Sequence, residues 1–211
     1  MNAYIFDLDG TLFESMDVWA TVDKLFFQKR GLTIPEGYAE ATKAMHFDEA
    51  AEFTIKHFGL NESAEDIMQE WLNIAREAYE NDVQLKPYAK EYLIKLASEG
   101  HKLAVATSLP EALMEPVMHK HGIYHIFHAI CNASEVGTGK SKPDIFILAS
   151  KKLRVPPECC LVFDDILAAV KSAKSINMQV CAVYDKSSAQ DWDEIRATAD
   201  YAITNFSDMS F

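Results

Sequence analysis

The chain enters an apolar run almost at once, Tyr4-Ile5-Phe6, which breaks on Asp7-Leu8-Asp9-Gly10-Thr11-Leu12. Consecutive apolar strand-formers mark a strand buried on both faces, the signature of a parallel sheet covered by helices. In such sheets ligands bind beyond the carboxyl ends of the strands, which is where the two aspartates fall. Residues two apart on an extended chain share a face, so Asp7 and Asp9 can address one site. Gly10 permits the turn behind them. A lone Asp-x-Asp-Gly is more often only an acidic turn, but this one has partners further along the chain.

After Leu12 the periodicity becomes helical for about seventy residues. Val18, Trp19, Val22, Leu25 and Phe26 form one apolar face, stopped at Gly31. Pro35 opens a short helix towards Met45, Phe47 to His57 carries a third, and Gly59 closes it. Ser63 with Asp66 resembles a capping box ahead of Ile67, Trp71, Leu72, Ala75 and Tyr79. Four helices with no strand pattern predict a small bundle inserted into the chain, its Trp and Phe residues forming the core.

From Leu85-Lys86-Pro87 onward, short apolar strands alternate with helices. Leu103–Ala106 runs into Thr107-Ser108, Ala129–Cys131 is a weak strand, and Leu161-Val162-Phe163 meets Asp164-Asp165. Val180–Val183 and Tyr201–Ile203 follow, with a last helix over roughly 189–198. The fold class is therefore α/β, a Rossmann-like parallel sheet with helices on both faces and an inserted α-helical bundle. The expected boundaries are 1–13 and 86–211 for the core and 14–85 for the bundle.

A formal net charge of −12 argues against nucleic acid or an anionic membrane as partner. No apolar run is long enough to span a bilayer, and no signal-like segment precedes the first strand. The four cysteines lack ligand spacing and read as reduced core residues of a cytoplasmic protein, and nothing in the sequence demands more than a monomer. His119, His121, His125 and His128 lie around a helix end interrupted by Gly122 and are expected at the surface, without a metal.

Three strands thus end in polar groups: Asp7 and Asp9, Thr107 and Ser108, Asp164 and Asp165. Between the last two pairs lies Gly137-Thr138-Gly139-Lys140-Ser141-Lys142-Pro143-Asp144, a turn-rich loop with two lysines. Two carboxylates about 4 Å apart repel by roughly 4 kcal/mol at an effective dielectric near 20. A hard divalent cation relieves that repulsion, and oxygen-only ligands favour Mg²⁺. A lysine and hydroxyls on the far side of the metal suit a phosphoryl group.

Asp7-Leu8-Asp9-Gly10-Thr11-Leu12, Ala104–Thr107, Gly139-Lys140…Pro143-Asp144 and Leu161–Asp165 together resemble the four ordered motifs of the haloacid dehalogenase superfamily. The resemblance spans the chain and is strongest to the β-phosphoglucomutase-like and phosphoglycolate-phosphatase-like branch, whose helical cap the insert resembles. It implies Asp7 as nucleophile, Asp9 as acid–base, Thr107 and Ser108 on the phosphoryl oxygens, and Lys140 neutralising charge. It implies Mg²⁺ held by Asp7, the Asp9 carbonyl, Asp165 and Asp164, the last directly or through water. Either Lys140 or Lys142 fits the loop, with spacing favouring Lys140. Glu14 stands where that branch often has Asp, and Ala169 and Asn177 replace common glycines. Specificity is expected from the cap near Ala44–Asp48 and just after the first motif, with Glu14, Trp19 and His46 as candidates.

The implied activity is Mg²⁺-dependent hydrolysis of a small phosphorylated metabolite through an aspartyl-phosphate. A phosphosugar mutase is the rival enzyme, and a catalytically idle binding protein the rival from another class. The mutase pattern places a histidine and an arginine where Trp19 and Phe47 stand here, and neither supplies a cation.

Overall fold

The computed structural model describes residues 1–209. Six parallel strands form the main sheet, in spatial order β5-β4-β1-β6-β7-β8. These are β1 (Ala3–Phe6), β4 (Lys102–Thr107), β5 (Ala129–Asn132), β6 (Cys160–Asp164), β7 (Gln179–Val183) and β8 (Tyr201–Ile203). The chain builds outward from β1 through β4 and β5, then returns to the other side of β1 for β6. That reversal is a topological switch point, where the crevice beyond the strand ends is open to a ligand. The register aligns Phe6 with Val105 on one side and Phe163 on the other, so Asp7 emerges level with Asp164 and one position short of Thr107.

Alternation along the strands sorts the core into two layers. Phe6, Val105, Phe163 and Val183 face one way, where Phe6 stacks on Phe163 at 4.6 Å between ring centroids. Helices α5 (Ala89–Ser98) and α6 (Glu111–Lys120) cover that face. Ile5, Ala104, Ala106, Val162 and Ala182 face the other way. Their small size lets α7 (Asp144–Leu153) and α8 (Leu167–Ser175) pack closely through Phe146, Ala149, Ala169 and Ala173. Helix α9 (Trp192–Thr198) adds Ile195 to this layer.

Between β1 and β4 the chain makes a two-stranded antiparallel ribbon, β2 (Phe13–Glu14) with β3 (Gln84–Leu85). The regular elements between those strands are all helices: α1 (Met16–Lys29), α2 (Tyr38–Thr42), α3 (Phe47–Phe58) and α4 (Ala64–Asn81). Aromatic side chains hold these helices together edge to face, Phe26 against Trp71 at 5.5 Å and Phe27 against Tyr38 at 5.0 Å. Arg30 lies 3.6 Å over the Phe26 ring and pairs with Glu62 and Glu70, tying α1 to α4.

Local differences from the sequence reading have local causes. Helix α2 starts at Tyr38 because Gly37 sits at φ +81°, outside helical space. Ser63 accepts the Asp66 N–H at 3.1 Å, but the Asp66 carboxylate takes the Ser63 hydroxyl at 2.7 Å, so only half of a capping box forms. The final helix is shorter than expected, because residues Lys186–Asp191 wind as a 3₁₀ turn capped by Asp185. Asn177, in place of glycine, adopts φ +64°, a conformation Asn tolerates better than most residues. No helix among the described residues is long and apolar enough to cross a membrane.

Candidate active site

The ends of β1, β4 and β6 bring Asp7, Thr107, Asp164 and Asp165 to one place, all buried. Carboxylate oxygens of Asp7, Asp164 and Asp165 lie within 4.8 Å of one another. Lys140 is 2% exposed and its ammonium bonds to Asp7 and, at 2.9 Å, to Asp164. Lys142 is exposed, so Lys140 is the lysine of that loop at the carboxylates. Asp164 also accepts the Ile166 N–H at 3.0 Å. Asp165 has no cationic partner among the described residues; it accepts the Thr11 hydroxyl at 3.1 Å and the Ser188 hydroxyl at 3.3 Å.

Three carboxylates against one ammonium leave an excess of negative charge out of water. Burial raises the Asp7 pKa to about 7, with Lys140 opposing and Asp164 and Asp9 reinforcing the rise. Burial, then Asp164 and Asp7, push Asp165 well above the carboxylate range. Burial alone would strip the charge from Lys140, but Asp164 and Asp7 more than offset it and raise its pKa. Hard oxygen donors carrying this surplus charge fit a small divalent cation.

Gly10 makes this packing possible. It sits at φ +73°, and a Cβ there would stand 2.6 Å from the Asp165 carboxylate. Gly139 serves a different approach: its absent Cβ would lie 2.2 Å from the Ala44 carbonyl oxygen, between α2 and α3. The Lys140 N–H donates to that same carbonyl at 2.9 Å. Lys43 pairs with Asp191 at 3.4 Å, a second point at which the inserted helices are seated on the core.

Asp9 is held apart from the other three. Its carboxylate accepts the Ser15 and Tyr79 hydroxyls, each at 2.6 Å, and the Trp19 indole N–H at 3.1 Å. Burial still raises its pKa, although all three donors favour the anion. Tyr79 stays a donor because burial and the Asp9 charge lift its pKa far above the ordinary phenol.

Between the strand ends and the helices lies a cavity of about 240 Å³. Asp7, Asp9, Thr107, Ser108, Lys140 and Asp165 line its floor. Thr107 Oγ accepts the Leu109 N–H at 3.1 Å, opening the turn into α6. Ser108 Oγ is buried with no hydrogen-bond partner, a donor left over for something in the cavity.

Among the three residues expected to govern specificity, Trp19 lines the cavity. Glu14 is exposed on β2 and His46 precedes α3; neither is in the wall, which takes Met45 and Phe47 from that turn instead. A β-strand alternates its faces, and Phe13 claims the inner one, sending Glu14 out. Ser15, Asp23, Trp71 and Tyr79 are the site residues that sequence reasoning missed. Trp71 and Tyr79 carried only the helical periodicity of core residues, and Asp23 had no motif around it. The histidines stay apart: His119 stacks on Tyr124, His121 bonds to the Val83 carbonyl, and His128 accepts the Leu103 N–H.

The chain is similar to several other proteins. A probable pseudouridine-5′-phosphatase from Drosophila melanogaster is 30% identical over 193 residues, covering 89% of this chain and 83% of the relative. A phosphorylated carbohydrates phosphatase from Thermotoga maritima is 24% identical over 179 residues, covering 85% and 83%. The crystal structure of β-phosphoglucomutase from Clostridium difficile has the same fold, with a TM-score of 0.84 at 22% identity over all of this chain and 94% of the other. The family model for haloacid dehalogenase-like hydrolases matches residues 1–177, which contain the three strand-end motifs and the Lys140 loop, and the chain belongs to that family.

Proposed function

We propose that this protein is a Mg²⁺-dependent phosphatase acting on a small phosphorylated metabolite through an aspartyl-phosphate. The observation that carries the reading is Lys140 wedged between Asp7 and Asp164 on the floor of a cavity that also presents Thr107 and an unpartnered Ser108. Kinship to phosphatases of a nucleotide and of phosphorylated carbohydrates supports it.

Asp7 attacks phosphorus in line and displaces the leaving oxygen, forming a carboxyl–phosphate bond. Lys140 neutralises charge on Asp7 and on the transferring oxygens, while Thr107 and Ser108 hydrogen-bond those oxygens. Asp9 protonates the leaving oxygen, then takes a proton from the water that cleaves the acyl phosphate. Its raised pKa suits the acid step. Asp7, the Asp9 carbonyl, Asp164 and Asp165 would hold Mg²⁺, which screens the repulsion between nucleophile and phosphoryl group when bound.

Residues 14–85 serve as the cap and 1–13 with 86–211 as the core, residues 210 and 211 of that span lying outside the described residues. The ribbon at Phe13–Glu14 and Gln84–Leu85 is short enough to act as the hinge. Hydrolysis is favoured over phosphosugar isomerisation by the cation inventory. A mutase needs a second anion anchor, best met by a guanidinium. Here Arg30 is engaged by Glu62 and Glu70, Arg76 is exposed, and the wall's one cap lysine, Lys43, is paired with Asp191.

p-Nitrophenyl phosphate turnover measured with Mg²⁺ and after EDTA tests the assignment, with Asp7→Asn as control. Activity should vanish on chelation, return with Mg²⁺, and be undetectable in the folded variant. Mg²⁺-dependent turnover by Asp7→Asn would rule out the covalent mechanism.

A further inference from the structure

Away from its floor the cavity changes character. The cap wall is built from Trp19, Tyr38, Phe47 and Trp71, with a single carboxylate among them, Asp23 on α1. Asp23 has no hydrogen bond or ion pair among the described residues, and burial raises its pKa to about 6. Neighbouring donors are committed elsewhere. The Thr54 hydroxyl donates to the Ala50 carbonyl at 2.7 Å, so the Tyr38 hydroxyl, 2.7 Å from Thr54, must spend its proton there. Thr42 donates to the Tyr38 carbonyl at 3.0 Å, Ser187 to Asp185 at 2.7 Å, and Lys43 to Asp191. The Trp19 N–H serves Asp9 and Tyr79.

One further polar group in this wall is left over, and it has the opposite sense. Trp71 is 5% exposed, and its indole N–H is buried without a partner. A half-buried carboxylate and a buried donor, neither with a hydrogen-bond partner, face the same cavity, and the buried N–H in particular is costly unless something completes it. The ring faces around them admit a flat or apolar surface but give no compensation for a second negative charge.

We propose that Asp23 and Trp71 recognise the leaving group, selecting an uncharged one that offers a hydrogen-bond donor to the carboxylate and an acceptor to the indole. A hydroxyl does both, and so does the N–H/C=O edge of an amide-like ring. The same carboxylate repels leaving groups that carry a carboxylate or a second phosphate. The inference rests on the phosphatase reading and adds the substrate class to it.

The test is a four-substrate comparison in the Mg²⁺-loaded enzyme: glycerol 3-phosphate, uridine 5′-monophosphate, phosphoglycolate and p-nitrophenyl phosphate. Each kcat/KM is divided by that for p-nitrophenyl phosphate, which has no donor to offer. Wild type should favour glycerol 3-phosphate or uridine 5′-monophosphate over phosphoglycolate, and whichever of the two leads distinguishes a hydroxyl from a ring edge. Asp23→Ala should lower the leading ratio about tenfold or more, mainly through KM, because a site built for a donor loses its acceptor. The isosteric Asp23→Asn should raise the phosphoglycolate ratio several-fold, and Trp71→Phe should lower the leading ratio while keeping the ring. Ratios unchanged within twofold in all three variants, or a wild type that prefers phosphoglycolate, would overturn the proposal alone. A wild type that releases phosphate from none of the four would overturn the phosphatase reading with it.

Discussion

The floor and the cap wall of the cavity obey opposite rules. On the floor the side chains are charged and the contacts dense: Lys140 serves two carboxylates, Asp164 has a lysine and a backbone N–H, and Asp165 has two hydroxyls. The carboxylates come from strand ends fixed by the sheet register, so their spacing cannot drift. The cap wall is mainly apolar and aromatic, its one carboxylate has no ion-pair partner among the described residues, and its residues come from separate helices tied to the sheet through a ribbon of two residues per strand. The first arrangement suits chemistry that is the same for every phosphate ester. The second suits a part of the substrate that differs between relatives. Asp9 stands between the two, on the floor by sequence and clasped by the cap through Trp19 and Tyr79.

Breaking that link should have the largest effect on this contrast. Asp9→Asn keeps the shape and removes the proton donor, and kcat should fall by about 10²–10⁴, the usual contribution of a positioned acid–base. Steady-state kinetics with an alkyl phosphate check this, and a loss below tenfold would remove Asp9 from that role.

Forcing the two regions apart should cost less. Gly139→Ala places a methyl in collision with the Ala44 carbonyl oxygen. The Lys140 loop or the α2–α3 turn must shift, and a displacement near 1 Å can cost about a hundredfold in rate. We expect kcat/KM to fall by roughly 10- to 100-fold while the melting temperature moves little. Unchanged kinetics would show that the seated arrangement is not the one that turns over.

The smallest effect concerns stability. The Asp23 pKa is about 6 when folded, against an ordinary value of 3.8. The folded state therefore holds the extra proton between these values, and stability falls as pH rises from about 4 to 6. The difference sets a ceiling of about 3 kcal/mol, reduced by whatever water reaches the side chain. Asp23→Asn should abolish that pH dependence and melt higher than wild type at pH 7, by about 1–2 kcal/mol in chemical denaturation. Equal stability of the two proteins at pH 7 would mean that Asp23 is already solvated.

The sequence by itself determined the sheet, its covering helices and the floor of the site. Burial on both faces leaves a continuous apolar run, and the functional groups follow directly where each run stops, at Asp7, Thr107 and Asp164. It left open which lysine turns inward, because Lys140 and Lys142 share one loop, and only the Ala44 contact and the α7 start settle the direction. The β2–β3 ribbon was illegible, since two residues per strand carry no period. In the cap, Glu14 and His46 lie outside the cavity wall, Asp23 and Trp71 line it, and Tyr79 holds Asp9, none of which a local pattern marks. Helical periodicity reports that a side chain faces inward, but what it meets there depends on how separate helices pack. Tyr79 reaches Asp9 across seventy residues of sequence, a distance over which no local pattern carries information.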